Sequence, residues 1–150
     1  MTYRYERLGP DQLPRMRSLN RLFGKVFDDR ESYLEAPPTD AYLAERLADP
    51  SFAVLVATTD GEVIGGLAAY VLRKFERARS EIYIYDLAVD AGHRRRGVAT
   101  ALIRALAPLV RETGAHVVFV QADPGDGPAI ALYESLGVRE DVHHFDLVLR

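Results

Sequence analysis

Between Ser80 and Thr100 the chain passes from strand-forming residues into three consecutive arginines and then into a helix start. No other segment restricts the fold as much. Glu81 to Val89 alternates Ile, Tyr and Val with few polar interruptions, the composition of a buried strand. Arg94-Arg95-Arg96-Gly97-Val98-Ala99 then opens a helix whose first side chains are small. A helix N-terminus carries unpaired N–H groups and partial positive charge, which suits a pyrophosphate. Glycine and alanine let such a group reach the backbone, and the arginines add fixed charge.

The elements on either side predict a mixed α/β domain. Thr2–Leu8 reads as an edge strand, and helices follow over Gln12–Phe27 and Asp40–Ala48, with the acidic, proline-bearing stretch Asp28–Thr39 between them as loop. Phe52–Thr58 and Glu62–Leu72 form a hairpin around Asp60-Gly61. Gly65-Gly66 within its second strand implies a bulge or the close approach of another element. Beyond the arginines, Gly97–Glu112 is helical with a kink or early stop at Pro108. His116–Gln121 is apolar enough to be a central strand. Pro128–Leu136 is a short helix, and Val138–Arg150 is strand material.

Composition excludes several classes. The 150 residues make one domain, residues 1–150, with 48% hydrophobic and 27% charged residues, as in ordinary globular proteins. A net charge of −3 argues against a general nucleic-acid binder, so no nucleic acid is expected as partner. The absence of cysteine removes disulfides, thiolate metal sites and a cysteine acyl-enzyme. His143-His144 point to opposite faces of a strand, and no ligand spacing accompanies them, so no metal is expected. The N-terminus lacks the apolar core of a signal peptide and no run approaches membrane-spanning length, so the expectation is a cytoplasmic protein without a membrane partner.

Arg94-x-x-Gly97-x-Ala99, directly after a strand ending Leu-x-Val, resembles the acetyl-CoA signature of the GNAT N-acetyltransferases. A second segment, from Asp126 through Ala129 and Tyr133 to Gly137-Val138, is similar to that family's N-x-x-A-x-x-L-Y-x-x-x-G-F motif, with Asp126 for Asn and Val138 for Phe. The segments LGPDQ, LFGKVF, LAAYVL, KFE, RSEIYIYDLAV, VQAD and HFD, in that order, resemble GNAT aminoglycoside 3-N-acetyltransferases, the gentamicin-resistance enzymes. The resemblance implies the GNAT fold, a central mixed sheet of six to seven strands flanked by about four helices. It also implies acetyl transfer from acetyl-CoA to an amino group of an aminoglycoside, at the 3-position of the deoxystreptamine ring, by direct attack. Members are often homodimers.

Carried over residue by residue, the resemblance places the pantetheine arm along Leu87, Ala88 and Val89. The pyrophosphate falls on Arg94, Arg95, Arg96, Gly97, Val98, Ala99 and Thr100. Asp126, Ala129 and Tyr133 then lie beside coenzyme A. Tyr133 is the candidate general acid, since a phenol of pKa about 10 can protonate a departing thiolate whose own value lies near 8.5. The base stays open among Glu81, Tyr83, Tyr85 and Asp86; because many related enzymes place a carboxylate where Tyr85 falls, a water relay or a carboxylate from elsewhere, such as Asp123, is the alternative. Strict alternation sets Glu81, Tyr83 and Tyr85 on one face and Asp86 on the other, unless a bulge intervenes. A polycationic amine calls for an acidic site, for which Asp123, Glu140, Asp141 and Asp146 are candidates, with Tyr83 nearby on the strand. Carboxylates in such positions are commonly just solvated; Asp123 stands out because it closes a buried strand just ahead of the second motif. Another polyamine or peptide amine would be the alternative substrate, and a non-catalytic acyl-CoA sensor the alternative class.

Overall fold

A computed structural model describes residues Met1–Arg150. Five strands form one sheet in the order β1-β2-β3-β4-β5: β1 Arg4–Arg7, β2 Phe52–Thr59, β3 Glu62–Arg73, β4 Ser80–Val89 and β5 Ala115–Val120. The first three pairings are antiparallel and β4–β5 is parallel. Helices α1 Leu13–Val26 and α3 Asp40–Ala48 cover one face, and α4 Val98–Arg104 and α5 Ala107–Thr113 cover the other. A single-turn α2, Arg30–Tyr33, and α6, Gly127–Leu136, complete the chain.

The two faces follow from alternation along the strands. Val54, Val56 and Ala68 turn toward Met16, Leu19, Leu22 and Phe23 of α1. Ala53, Leu55, Leu67 and Ala69 turn toward Leu102, Leu106 and Leu109. Gly65-Gly66 fulfils both readings given above. The β2–β3 register shifts at Ala57/Thr58 beside Gly65. A methyl on Gly66 would sit 2.5 Å from Leu19 Cδ1 and 2.8 Å from the Leu55 carbonyl oxygen, so only glycine lets α1 seat this deeply.

The early stop expected near Pro108 is present, slightly ahead of it: the chain breaks at Ala105-Leu106 and Pro108 occupies the first turn of a new helix. Several other expectations need correction. The stretch 28–39 contains α2, started by Asp29, whose carboxylate accepts the Ser32 N–H at 3.1 Å. β5 is the edge strand and not a central one, and the sheet has five strands where six to seven were expected. Both differences have one cause. Val138–Arg150 forms no strand, since a strand needs a hydrogen-bonded neighbour and this segment meets none within its own chain. The helical segments number six, against about four expected.

Candidate active site

β4 and β5 part company midway. Their pairing runs from Ser80↔Ala115 to Ile84↔Val120, while β4 continues through Val89. The β5-side backbone groups of Leu87, Ala88 and Val89 are therefore left without a strand partner, although the other edge still pairs with Gly65–Leu67 of β3. Such an edge offers N–H and C=O groups to an extended amide-bearing ligand.

At the same point β4 bulges. Ala68 pairs with Asp86 and Ala69 with Ile84, so Tyr85 is the extra residue. The bulge decides the question that alternation left open. Ile82 and Ile84 face α4 and α5, yet Asp86 lies on the opposite face, beside Tyr70 and Ala68. Tyr83, Tyr85 and Asp86 thereby share the α1 side of the sheet. Tyr85 meets Tyr83 and Tyr70 edge-on, at centroid distances of 5.4 and 5.9 Å. Tyr83 stacks on Phe119 at 4.6 Å and donates its hydroxyl to Gln121 Oε1 at 3.1 Å.

Asp86 is half-buried in a hollow of about 190 Å³ whose walls include Asn20, Phe23, Tyr42, Arg46 and Tyr70. Burial raises its pKa above the ordinary carboxylate value, and a hydrogen bond from the Tyr33 hydroxyl, 2.8 Å away, partly counters the rise. Tyr33 is itself pushed far above the usual phenol range, first by burial and then by that bond and the Asp86 charge. A carboxylate with a raised pKa among neutral phenols can accept a proton and attract a cation. Tyr33 escaped the sequence reading because its segment looked like loop. The Asp29-x-x-Ser32 cap was the available signal.

The basic turn is built as its residues suggest. Ala91–His93 form a 3-10 turn, Arg94 Nε donates to the Val89 carbonyl at 3.1 Å, and Arg95 and Gly97 take positive φ of 61° and 79°. Gly97 is the N-cap of α4, Val98 is buried, and Arg94, Arg95 and Arg96 are exposed. The N–H groups of Val98, Ala99 and Thr100 lie in the first helical turn, where no intrahelical acceptor exists for them. The Tyr3 hydroxyl bonds His93 Nδ1 at 2.9 Å and so ties the N-terminal segment to this turn.

The remaining candidates separate. Glu81 sits near the other end of β4, 3.3 Å from His116 and 3.9 Å from Lys74, outside the hollow. Asp123 is exposed in the loop after β5, where its carbonyl accepts the Asp126 N–H at 2.9 Å. Asp126 caps α6 by accepting from Ala129 N–H at 3.2 Å. Tyr133, half-buried on α6, has its pKa raised by burial and then by the Asp126 charge, so it stays protonated at neutral pH. Glu140, Asp141 and Asp146 lie on the exposed C-terminal segment; Asp141 pairs with Arg139 at 2.8 Å and Asp146 with His144 at 2.9 Å. No three His, Asp or Glu side chains gather as a metal would require.

Residues 16–138 match the model of the acetyltransferase (GNAT) family. The chain belongs to that family. Enzymes of the family use acetyl-CoA. This GNAT acetyltransferase is 50% identical to an aminoglycoside acetyltransferase from an uncultured soil metagenomic sample, with a TM-score of 0.97 and all of both chains covered. A second soil metagenomic aminoglycoside acetyltransferase, solved in complex with sisomicin, is 35% identical with a TM-score of 0.90, covering 99% of this chain and 97% of that one. N-acetyltransferase family 8 member 2 of Rattus norvegicus is 30% identical over 90 residues, covering 60% of this chain and 40% of the relative. The GNAT acetyltransferase thus spans less than half the length of that curated relative. None of its helices is long and apolar enough to cross a membrane.

Proposed function

We propose that this GNAT acetyltransferase moves the acetyl group of acetyl-CoA onto an amino group of an aminoglycoside such as gentamicin, at the 3-position of the deoxystreptamine ring, and so confers resistance. The observation that carries the reading is the Tyr85 bulge, which turns the Asp86 carboxylate into an aromatic hollow on the strand whose backbone edge is open. The similarity to soil aminoglycoside acetyltransferases supports the substrate class. We place the enzyme in the cytoplasm, where acetyl-CoA is available, and as a homodimer.

Acetyl-CoA supplies an activated acetyl group. Arg94 to Thr100 hold its pyrophosphate, and Leu87 to Val89 hold the pantetheine amides in the place where a further strand would pair. Asp126 and Ala129 flank it from α6. Asp86 takes a proton from the substrate ammonium, which frees the nitrogen lone pair for direct attack on the thioester carbon. Tyr133 would give its phenolic proton to the sulfur as the carbon–sulfur bond breaks, and the second proton lost by the acylated nitrogen as it becomes an amide restores the phenol, while Asp86 releases its proton to solvent. Tyr83, Tyr85 and Tyr70 hold the sugar rings, and Asp123 adds negative charge at the mouth. Burial raises the Tyr70 and Tyr83 phenols further above neutrality, and Asp86 is the carboxylate among the residues lining the hollow, so it is the group that a cation meets there.

Purified protein incubated with acetyl-CoA and, in parallel, gentamicin, kanamycin or spermidine tests this reading by thiol release and product mass. Turnover with gentamicin, adding one acetyl group, is the expected result. Turnover with spermidine alone would move the enzyme to the polyamine class. Binding of acetyl-CoA without any turnover would leave the acyl-CoA sensor.

A further inference from the structure

α1 turns one polar side chain into the hollow beside Asp86. Asn20 follows Met16 by four residues and precedes Phe23 by three, so it stands in the same stripe of the helix as these two buried neighbours, and all three line the hollow. Asparagine is a poor helix former, because its amide competes for backbone groups. Here it is partly buried in mid-helix and caps neither end. The hydrogen-bonding side chains of α1 are those of Arg17, Ser18, Arg21 and Lys25; Asn20 has no partner in the chain. A residue that breaks the local pattern without a structural return marks a place that serves function.

The other two polar side chains of the hollow, Asp86 and Arg46, are already engaged. Asp86 holds the Tyr33 hydroxyl at 2.8 Å. Arg46 donates through Nη1 to Asp49 at 3.3 Å and through Nη2 to Glu45 at 3.4 Å, and its guanidinium lies 5.9 Å from the centre of the Tyr42 ring. Asp86 attracts one ammonium group. Arg46 fixes a positive charge on the wall of a space of only about 190 Å³, so a second ammonium seated there would meet repulsion. What remains is the Asn20 amide, with two N–H donors and a carbonyl acceptor unspent. Such a group suits an oxygen and not a methylene. A site built to hydrogen-bond an oxygen rejects the analogue that lacks it, because its own polar groups are then left unpaired.

We infer that Asn20 donates to an oxygen carried on the carbon next to the amine, so that the hollow selects an amine flanked by oxygen over a plain alkyl amine. The inference rests on the reading of Asp86 as the group that receives the substrate amine. In the deoxystreptamine ring each amine has an oxygen-bearing carbon beside it. A linear polyamine such as spermidine has only methylenes there. Asn20 is thus a specificity-determining residue, and the choice between the two kinds of amine is made by one side chain of α1 together with the fixed charge of Arg46.

Two small amines that differ by a single oxygen, trans-2-aminocyclohexanol and cyclohexylamine, are titrated into the full chain and followed by NMR. The parent should bind the amino alcohol roughly five- to tenfold more tightly, the worth of one hydrogen bond in a binding site. Asp86→Asn should weaken both amines. Asn20→Leu should bring the amino alcohol down to the level of cyclohexylamine, and Asn20→Ala, read by the same ratio, stands in should leucine crowd the hollow. Equal or absent binding of the two amines by the parent, or a preference that survives both Asn20 variants, would overturn the inference. A loss in those variants that falls on both amines alike would mean a structural role and overturn it too. Gentamicin turnover is read separately. A chain that shows the amine pattern yet leaves gentamicin untouched loses the aminoglycoside reading and keeps the role of Asn20; a chain that acetylates gentamicin without any amine preference does the reverse.

Discussion

The Tyr33 hydroxyl donates to the Asp86 carboxylate at 2.8 Å, joining a one-turn helix in the N-terminal third to the bulged strand across 53 positions of sequence. That bond favours the charged carboxylate, and burial favours the neutral one. Burial prevails. Tyr33→Phe removes the counterweight, so the Asp86 pKa rises further. The acid limb of the kcat/KM against pH profile should move to higher pH in the variant. An unmoved limb would separate Asp86 from the observed titration.

Asp86→Asn keeps the shape and removes the proton acceptor. The rate should fall roughly 10²- to 10⁴-fold, the usual worth of a positioned base. Stability should move the other way. A carboxyl whose folded pKa is raised contributes stability below its unfolded value, near 3.9, and that contribution is lost as pH rises through the folded value. At pH 7 the charged Asp86 is therefore a cost, and Asp86→Asn should melt at the same temperature as the parent or higher. The difference should vanish below about pH 4. Thermal melts at the two pH values check both signs.

Tyr133→Phe retains the ring on α6 and removes one proton. The expected effect is a fall in kcat of roughly 10²-fold or more with KM little changed, because the lost interaction belongs to the departing sulfur. Steady-state kinetics with a fixed aminoglycoside measure the split. Equal kcat would transfer the acid role to another group.

Asp123→Asn should act on KM for the aminoglycoside and leave KM for acetyl-CoA near its parent value. The side chain is exposed in the loop after β5, so the effect should shrink as salt rises through the physiological range.

Gly66→Ala places a methyl against Leu19 and the Leu55 carbonyl. Overpacking of this kind costs about 1–3 kcal/mol. In a chain of this size the melting temperature should fall by roughly 2–4 °C per kcal/mol. An unchanged melting temperature would mean that α1 can shift outward freely.

Helix and strand order were legible because periodicity is a local property, and the caps at Thr39 and Gly97 mark their boundaries within a residue or two. The bulge was legible as an option, yet its position was not. A bulge is chosen by how β3 and β4 register, and β4 alone carries no record of that pairing. Asp86 therefore became distinguishable from Glu81 only once the sheet had formed. Tyr33 was hidden for a related reason: a four-residue helix has too little periodicity to announce itself. The placement of β5 failed more instructively. An apolar strand is normally buried on both faces, and this one reads so; that no further strand pairs beside it depends on the path of residues 138–150, which the strand's own composition does not encode.

The parting of β4 from β5 has a mechanical side. The portion of the molecule from β5 onward is joined to the sheet by a ladder that ends at Ile84↔Val120, and α6 buries no residue of its own. Regions with few buried contacts open locally well before the whole fold does. The N-terminal sheet and its two helical layers should thus behave as one cooperative unit and the last thirty-odd residues as another of lower stability. Tyr133, the proposed proton donor, rides on the softer unit, whereas Asp86 is set in the harder one. Acid and base chemistry would then be brought into register only when the two units close around what lies between them, which makes the cosubstrate a fastener of the fold as well as a source of acetyl.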